Sequence, residues 1–226
     1  MKGFEIRGNS PLSKPFFNAM IYRVAALLYP QRLWQIPPQG APTLYLTFDD
    51  GPIPEVTDWV RETLQRYQAK ATFFCIGDNV DRYPQLLHRL KADGHTLGHH
   101  TQNHLNGWKT PLETYLQNSL ETVPKIDSAW FRPPYGKITS AQAKALQAQG
   151  FKLVMWNVLS KDYNPKLKPE QVWQRVKHSA QPGSIIVFHD SLKAAPRMKY
   201  ALQKTLEYFS AQGYRFKALP QRAFNN

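Results

Sequence analysis

The sequence predicts an α/β fold, a distorted (β/α) barrel of about seven parallel strands with helices outside them. Short apolar runs alternate with segments of helical periodicity along most of the 226 residues. Glycine follows several helical segments, at the position where a left-handed residue commonly ends a helix, as at Gly94, Gly150 and Gly213. Polar residues suited to chemistry follow one apolar run after another, as at the active face of a barrel.

The elements alternate in order along the chain. Seven runs have the composition of strands, at residues 44–48, 71–76, 95–98, 130–132, 152–158, 184–188 and 214–219. Six segments between them have helical spacing, at residues 55–67, 83–92, 112–126, 140–149, 169–180 and 199–212. No internal repeat or low-complexity linker interrupts the pattern. We therefore expect residues 41–226 to form one domain.

Residues 1–40 differ from the rest and are predicted to form an N-terminal extension. Their apolar residues have helical spacing, at Phe17, Met20, Ile21, Val24 and Leu28. The apolar stretch is too short and too interrupted to span a membrane, and it lacks a signal-peptide layout. A helix packed on the barrel is the better interpretation. The alternative is a helix lying on a membrane surface, given the basic residues Lys14, Arg23 and Arg32.

The chain is strongly basic, with 29 Lys and Arg against 16 Asp and Glu and a formal charge of +13. This balance favours an anionic partner, although a basic surface with no specific partner is the alternative. Nucleic acid is not expected, because basic and aromatic residues are not interleaved and zinc-finger spacing is missing. The single cysteine, Cys75, lies in an apolar run, which predicts a buried structural thiol and excludes an intrachain disulfide.

Two adjacent acids, Asp49 and Asp50, stand where the first predicted strand ends, directly before Gly51. Adjacent carboxylates repel, so one is normally ionised against a cation while the other handles protons. Taken alone, the stretch fits a solvated turn equally well.

Four histidines fall within ten residues, at His95, His99, His100 and His104. His100 and His104 are four apart, so a helical turn would place them on one face. Two imidazoles and one carboxylate, which Asp50 could supply, form a usual catalytic metal set. The spacing leaves open which pair of histidines binds.

Three further loops follow predicted strands. Pro133 and Pro134 after Arg132 make the backbone N–H of Tyr135 a rigid donor, although a rigid structural turn with a surface arginine is the better interpretation of this loop taken alone. His189 ends another strand and suits a general acid, with Asp162 as a candidate partner.

Together these stretches resemble the polysaccharide deacetylases, carbohydrate esterase family four. The matching pieces come in the family's order over about residues 43–219: TFDDG at 47–51, HTQNH at 100–104, RPPYG at 132–136, the loop through Asp162, and IIVFHD at 185–190. The resemblance implies a distorted β/α barrel, in agreement with the alternation of elements.

The resemblance also implies a role for each matching residue. Asp49 corresponds to the general base and His189 to the general acid. Arg132 would orient Asp49, Asp162 would orient His189, and Tyr135 would lend its backbone N–H to the oxyanion. The metal ligands would be Asp50, His100 and His104, with Zn²⁺ expected and Co²⁺ or Ni²⁺ able to substitute.

Four positions depart from the family pattern. Leu159 and Tyr163 stand where the family commonly has Asp and Trp, and Val187 replaces a leucine of the acetyl pocket. His99 stands where Asn is often found. These departures bear on the preferred acyl group and sugar, and Lys161 adds a positive charge beside them.

The resemblance implies hydrolysis of N-acetyl groups from N-acetylglucosamine units of peptidoglycan or a chitin-like oligosaccharide, and the basic charge leans towards an anionic glycan. An acetylxylan esterase or a lipid-linked amino-sugar deformylase remains an alternative, as does a catalytically silent glycan-binding protein. The compartment stays open between the bacterial cytoplasm, with an intracellular precursor as substrate, and the cell envelope, with residues 1–40 as an anchor.

Overall fold

The computed structural model describes residues 22–220. Its strands are short, and they run as β1 Thr43–Asp49, β2 Thr72–Cys75, β3 Thr96–His99, β4 Trp130–Phe131, β5 Lys152–Leu153, β6 Val158–Leu159, β7 Ile185–His189 and β8 Arg215–Phe216. The helices are α1 at 22–28, α2 Val56–Arg66, α3 Gly77–Arg82, α4 Pro84–Ala92, α5 Leu112–Leu120, α6 Ser140–Ala148, α7 Pro169–Ser179 and α8 Ala195–Ala211.

The strands form a curled half-barrel in the order β5-β4-β3-β2-β1-β7-β6, with β8 paired to the start of β1. Each of these strand pairings is parallel. Parallel strands need crossover connections, which the intervening helices provide. The predicted α/β barrel is confirmed.

The prediction of one strand over residues 152–158 is wrong. The segment divides into β5 and β6, which lie at opposite ends of the strand order. The physical reason is a buried guanidinium: Arg132 donates to the carbonyl oxygens of Val154, at 3.3 Å, and Met155, at 3.0 Å. Residues 154–157 therefore carry the chain across the barrel instead of continuing one ladder.

The segment that precedes β1 helps to close this opening. Leu33 donates its N–H to the Leu153 carbonyl, and its own carbonyl accepts from Met155, at 2.8 and 2.7 Å. Ile36 is buried, and its N–H donates to the Gly183 carbonyl on the other side. Residues 33–36 thus bridge β5 and the start of β7.

Helix α1 exposes apolar side chains at Val24, Leu27 and Leu28. The other expected helical positions (Phe17, Met20 and Ile21, with the basic Lys14) lie outside the described residues. Within residues 22–220, we find no helix with both the length and the apolar character needed to cross a membrane.

Two helix boundaries differ from the prediction for local reasons. Helix α5 ends at Leu120, short of the predicted 126, because Pro124 lacks an N–H and restricts the residue before it. Helix α8 starts at Ala195, four residues early, with Pro196 in the first turn, where its missing N–H costs nothing. The short helix α3 was not predicted.

The core centres on β1 and its two neighbours. The ring of Phe48 stacks against Phe73 at 5.0 Å and Phe188 at 5.9 Å between centroids. Cys75 is buried in the same cluster, as predicted, and burial raises the pKa of its thiol. This packing fixes the ends of β1, β2 and β7, from which the polar loops emerge.

Candidate active site

The predicted site residues converge where β1, β3, β4, β6 and β7 end. The register of β1 on β7 places Asp49 directly beside His189. The backbone N–H of Arg132 donates to the carbonyl of His99 at 2.9 Å, which ties the β4 loop to the β3 loop. Parallel pairing therefore brings together residues that are up to 140 positions apart in sequence (189 − 49).

Asp49 is held by a fully buried arginine. Arg132 donates to Asp49 Oδ1 at 2.8 Å and to Thr47 Oγ1 at 2.7 Å, while its other nitrogens bind the carbonyls of residues 154 and 155. The guanidinium also lies 4.1 Å from the ring centroid of Phe74. A buried cation so fixed keeps Asp49 in one orientation.

Asp50, His100 and His104 form a compact group whose ligand atoms all lie within 4.8 Å of one another. Asp50 Oδ1 is 3.2 Å from His104 Nε2 and 3.8 Å from His100 Nε2. His100 Nδ1 lies 2.7 Å from the Arg132 carbonyl, so its Nδ1–H donates there and its Nε2 lone pair faces Asp50. Orientation of the free nitrogen by such a bond is usual for a metal ligand.

The expectation of a helical turn between the two histidines is wrong. Residues 100–104 form a bend in which Thr101 and His104 are left-handed, with φ of 61° and 57°. Asn118 fixes this bend, since its Oδ1 accepts from the N–H groups of Gln102 and Asn103 at 3.1 Å. The imidazoles meet because the loop turns back on itself.

The charges at this group suit a divalent cation. Burial lowers the pKa of His100 to about 4, which leaves its imidazole neutral at neutral pH. Burial raises the pKa of Asp50, but the hydrogen bond from His104 and the nearby His189 and His100 outweigh it and lower that pKa overall. One carboxylate and two imidazoles are a donor set that a divalent metal accepts.

His189 and Asp162 form a second pair. The His189 backbone N–H donates to Asp162 Oδ2 at 2.8 Å, and the ring Nδ1 lies 2.7 Å from Oδ1. Burial lowers the pKa of His189, but the charge and hydrogen bond of Asp162 outweigh burial and raise it to about 9. His189 is thus protonated at neutral pH, with Tyr163 edge-on against its ring at 5.0 Å.

Tyr135 adopts a left-handed conformation, with φ of 60°, in the turn Pro134–Gly136. Its backbone N–H makes no hydrogen bond to any residue between 22 and 220. Its ring lies 4.6 Å from that of His104, beside the Asp50 group. An amide donor therefore stands ready close to the candidate metal ligands.

The other two histidines of the cluster are structural. His99 is fully buried, with Nδ1 2.7 Å from Thr122 Oγ1 and Nε2 2.9 Å from the Ser128 carbonyl. His95 Nδ1 accepts from the Ala71 N–H at 3.2 Å. The geometry thus groups His100 and His104, the choice that spacing left open. Among the other departures, Val187 is buried within β7, and Leu159 is half-buried at the end of β6.

Sequence reasoning missed Asp190, although it follows His189 directly. Asp190 is fully buried, and it accepts from the Gly51 N–H at 3.0 Å and from Thr57 Oγ1 at 2.6 Å. Thr57 Oγ1 in turn accepts from the Ile53 N–H at 2.8 Å. Asp190 thereby ties the turn after Asp50 to the loop of His189. The sequence signal for this role was the presence of an aspartate directly after His189.

Backbone strain concentrates in the site loops. Seven described non-glycine residues have positive φ, and five of them stand in these loops: Asp50, Thr101, His104, Tyr135 and Lys161. Such conformations cost about 1–3 kcal/mol each and persist where the surrounding contacts impose them, commonly at functional sites. A separate cavity of about 540 Å³ lies at the opposite ends of β3, β4 and β5 and includes none of these five.

Comparison with known proteins agrees with this arrangement. The sequence model of the family described as polysaccharide deacetylase matches residues 37–154. A peptidoglycan-N-acetylglucosamine deacetylase of Bacillus cereus is 35% identical over 192 residues, which cover 81% of this chain and 88% of that protein. A chitooligosaccharide deacetylase of Azorhizobium caulinodans is 33% identical over 160 residues, 67% of this chain and 75% of that protein.

The fold is also that of a solved relative. The crystal structure of a peptidoglycan N-acetylglucosamine deacetylase in complex with 4-naphthalen-1-yl-N-oxidanyl-benzamide gives a TM-score of 0.79 at 28% identity. The match covers 86% of this chain and 94% of that chain. With the family match over residues 37–154 and the 35% identity to a relative, the chain belongs to the polysaccharide deacetylase family.

Proposed function

We propose that the protein hydrolyses N-acetyl groups from N-acetylglucosamine units of peptidoglycan or a chitin-like oligosaccharide, with a divalent metal. The observation that carries this proposal is the pairing of Asp49 and His189 on neighbouring strands beside an Asp–His–His group. The Asp49 carboxylate can accept a proton, and the His189 imidazolium can donate one. The names of the relatives supply the substrate class.

In this proposal Asp49 acts as the general base and takes a proton from the attacking water. Its bond to Arg132, at 2.8 Å, holds Oδ1 in place, while its second oxygen is left for the water. Arg132 is therefore a positioning residue. Four hydrogen-bond acceptors and the rings of Phe74 and Trp156 surround its guanidinium and compensate for its burial.

His189 acts as the general acid and protonates the leaving nitrogen, because an amide anion leaves very poorly. Asp162 holds the ring through Nδ1, so that Nε2 faces the substrate side, and keeps it protonated. Tyr135 donates its backbone N–H to the developing oxyanion. Such a donor typically contributes about 3–4 kcal/mol of transition-state stabilisation.

Asp50, His100 and His104 would hold the metal, and we propose Zn²⁺, with Co²⁺ or Ni²⁺ able to replace it. When bound, the metal lowers the pKa of water and polarises the amide carbonyl. A catalytically silent glycan-binding protein would be expected to lose one of these ligands, or Asp49 or His189, and this chain keeps them all.

The proposal is tested by acetate release from N-acetylglucosamine oligomers and from peptidoglycan. Metal-stripped protein is assayed with and without added Zn²⁺, and we expect release only with the metal. His104→Gln should lose zinc and activity, whereas the matched change His178→Gln, on the exposed part of α7, should keep both. Absence of release with zinc bound would overturn the proposal and favour acetylxylan or lipid-linked formamido sugars.

A further inference from the structure

The proposed metal ligands come from strands that are not neighbours. Asp50 follows β1 and the two histidines follow β3, and β2 lies between these strands. Two strand spacings, about 10 Å, therefore separate β1 from β3, and no ladder pair among the described strands joins them directly. Helix α3 begins two residues after β2 ends, so it is the element placed to reach both loops.

The loop that carries Asp50 is attached to this helix. Asn79, on α3, donates from Nδ2 to the backbone carbonyl of Asp50 at 2.7 Å. Just before the helix, the N–H of Ile76 donates to the Gly51 carbonyl at 3.0 Å. The backbone on both sides of the Asp50–Gly51 peptide bond is therefore held by the start of α3.

The loop of the two histidines is attached to the same helix through its backbone. The N–H groups of Gly77 and Asp78, the first two residues of α3, donate to the carbonyls of Thr101 and Gln102 at 3.0 Å each. The first N–H groups of a helix find no acceptor inside it, so the loop completes the helix while the helix fixes the loop. Both carbonyls lie between the two histidines in sequence.

Helix and loop approach each other closely at Gly77. A Cβ on this residue would lie 2.0 Å from Gln102 Oε1 and 3.0 Å from the Gln102 Cα. The two backbones therefore meet without a side chain between them, and the connection is short.

The side chain of Gln102 makes a further attachment to α3. It is buried, and its Nε2 donates to Asp78 Oδ1 at 3.0 Å and to Asp81 Oδ2 at 2.8 Å. Its Oε1 accepts from Lys125 Nζ at 2.8 Å, and the same ammonium binds Asp81 Oδ2 at 2.6 Å. Two carboxylates on one side and an ammonium on the other leave the amide a single orientation. Gln102 thus locks the histidine loop to the helix.

We propose that α3 is a positioning frame for the metal site, in which Asn79 and Gln102 set the separation between Asp50 and the histidine pair. The inference rests on the proposed metal site and goes beyond it, since neither residue is a ligand. A frame of this kind holds the ligands apart at the required distance before the metal arrives, so binding does not have to order the two loops. Partners that orient metal ligands from behind typically contribute about 10- to 100-fold to metal affinity.

The test measures the affinity for Zn²⁺, by competition with a chelating indicator, in the wild type, Asn79→Ala, Gln102→Ala and the double variant. The control is Asn157→Ala. Asn157 accepts from the Ile185 N–H at 2.9 Å and donates to Ser184 Oγ at 3.0 Å, at the start of β7 and the opposite end of the barrel. The control therefore removes a half-buried side-chain amide without touching either ligand loop.

We expect each single variant to lose roughly tenfold in zinc affinity and the control to lose less than about twofold. The double variant should lose no more than about twentyfold, because release of one loop already removes the alignment that the other contact provides. A loss near the product of the two, about a hundredfold, would show that the loops are held independently and would overturn the frame. Unchanged affinity in the single variants, or an equal loss in the control, would also overturn it.

A second measurement uses the metal-free protein and separates failure of the frame from failure of the proposed function. The ring resonances of His100 and His104 in NMR spectra should shift in Asn79→Ala and Gln102→Ala and stay in place in Asn157→Ala. If the wild type binds no zinc, the proposed function fails, and these resonances alone decide the frame. Unchanged resonances in both site variants would overturn it.

A milder variant covers the case in which Gln102→Ala is misfolded by circular dichroism. Lys125→Ala removes a side chain that is 25% exposed and frees only Oε1 of the Gln102 amide and one oxygen of Asp81. Zinc affinity should then fall about threefold. An unchanged affinity in Lys125→Ala would overturn the role of Gln102 in the frame.

Discussion

Three ionisable groups of the site are each held in place by a hydrogen bond with a neighbour. Arg132 holds Asp49, Asp162 holds His189, and the Arg132 carbonyl holds His100. Arg132 therefore connects the proposed base to a proposed metal ligand through opposite ends of one residue. Such coupling means that substitutions here change both geometry and protonation.

The change Asp49→Asn tests the proposed base. Asparagine keeps an oxygen that accepts from Arg132, so the fold and the zinc content should survive, while kcat should fall about 10²- to 10⁴-fold. Acetate release and metal analysis measure the two effects. Asp127→Asn, at a 97% exposed side chain, removes an equal charge and should leave kcat unchanged. Retained turnover in Asp49→Asn would show that another group is the base.

The change Asp162→Asn tests the proposed acid through pH dependence. His189 donates a proton only below its pKa, so wild-type activity should fall as the pH rises through about 9. Without the Asp162 charge, burial lowers that pKa, and the alkaline limb of kcat should move to lower pH by more than about one unit. If the alkaline limb of kcat stays at the same pH in Asp162→Asn, that limb does not report the ionisation of His189.

The same pair affects stability with a definite sign. Because Asp162 raises the folded-state pKa of His189 to about 9, the pair's contribution is fully present below the unfolded-state pKa of about 6.5 and is lost as the pH rises through 9.

At the scale of elements, the turn after β1 depends on hydrogen bonds that come from outside it. Asp190 and Thr57 together bind the N–H groups of Gly51 and Ile53, so helix α2 and the end of β7 hold the turn from two sides. The close approach leaves no room for a side chain at Gly51, where a Cβ would lie 2.0 Å from Asp190 Oδ2. The position of Asp49 and Asp50 is thus set by three elements.

The change Thr57→Val removes one hydroxyl from this arrangement. It leaves the Ile53 N–H and one Asp190 oxygen unpaired, which should cost about 1–3 kcal/mol per group and lower kcat/KM roughly tenfold through displacement of the turn. Thr205→Val is the matched control, since the buried Thr205 hydroxyl donates to the Ala201 carbonyl within α8. Thermal unfolding and acetate release should separate the two. Equal kcat/KM values would mean that the turn holds without Thr57.

At the scale of the whole molecule, one segment before β1 and one strand near the end of the described chain close the barrel. Residues 33–36 bridge β5 and the start of β7, and β8 pairs with the start of β1. The described part of the N-terminal extension therefore includes a segment that is built into the barrel. Tyr22, which precedes this segment in the sequence, accepts a hydrogen bond from Trp156.

Two substitutions by alanine test whether residues 1–40 contribute to the stability of the barrel. Ile36 is 3% exposed, so Ile36→Ala should lower the free energy of unfolding by about 2–4 kcal/mol. Leu28 is 67% exposed, so Leu28→Ala should change it by less than about 0.5 kcal/mol. Urea unfolding measures both. If neither substitution changed the free energy of unfolding, the extension would act only as an anchor.

The sequence by itself determined the fold class, the strands that bear the site and the residue types at their ends. These follow from local causes: apolar runs of strand length, helical spacing between them, and polar residues placed where each run stops. The candidates that stand in such positions are Asp49, Asp50, Arg132, Asp162 and His189, and the family resemblance pointed to His100 and His104 within the histidine cluster. Tyr135 could be added because two prolines precede it.

Only the tertiary structure decided how these residues meet. The division of residues 152–158 into β5 and β6 depends on carbonyls bound by Arg132, which comes from another strand. The choice of His100 and His104 depends on a bend held by Asn118, and the role of Asp190 on a turn 139 residues away. Such contacts join residues that are far apart in the sequence, so the local pattern of apolar and polar residues carries no information about them. They are specified only when the barrel folds.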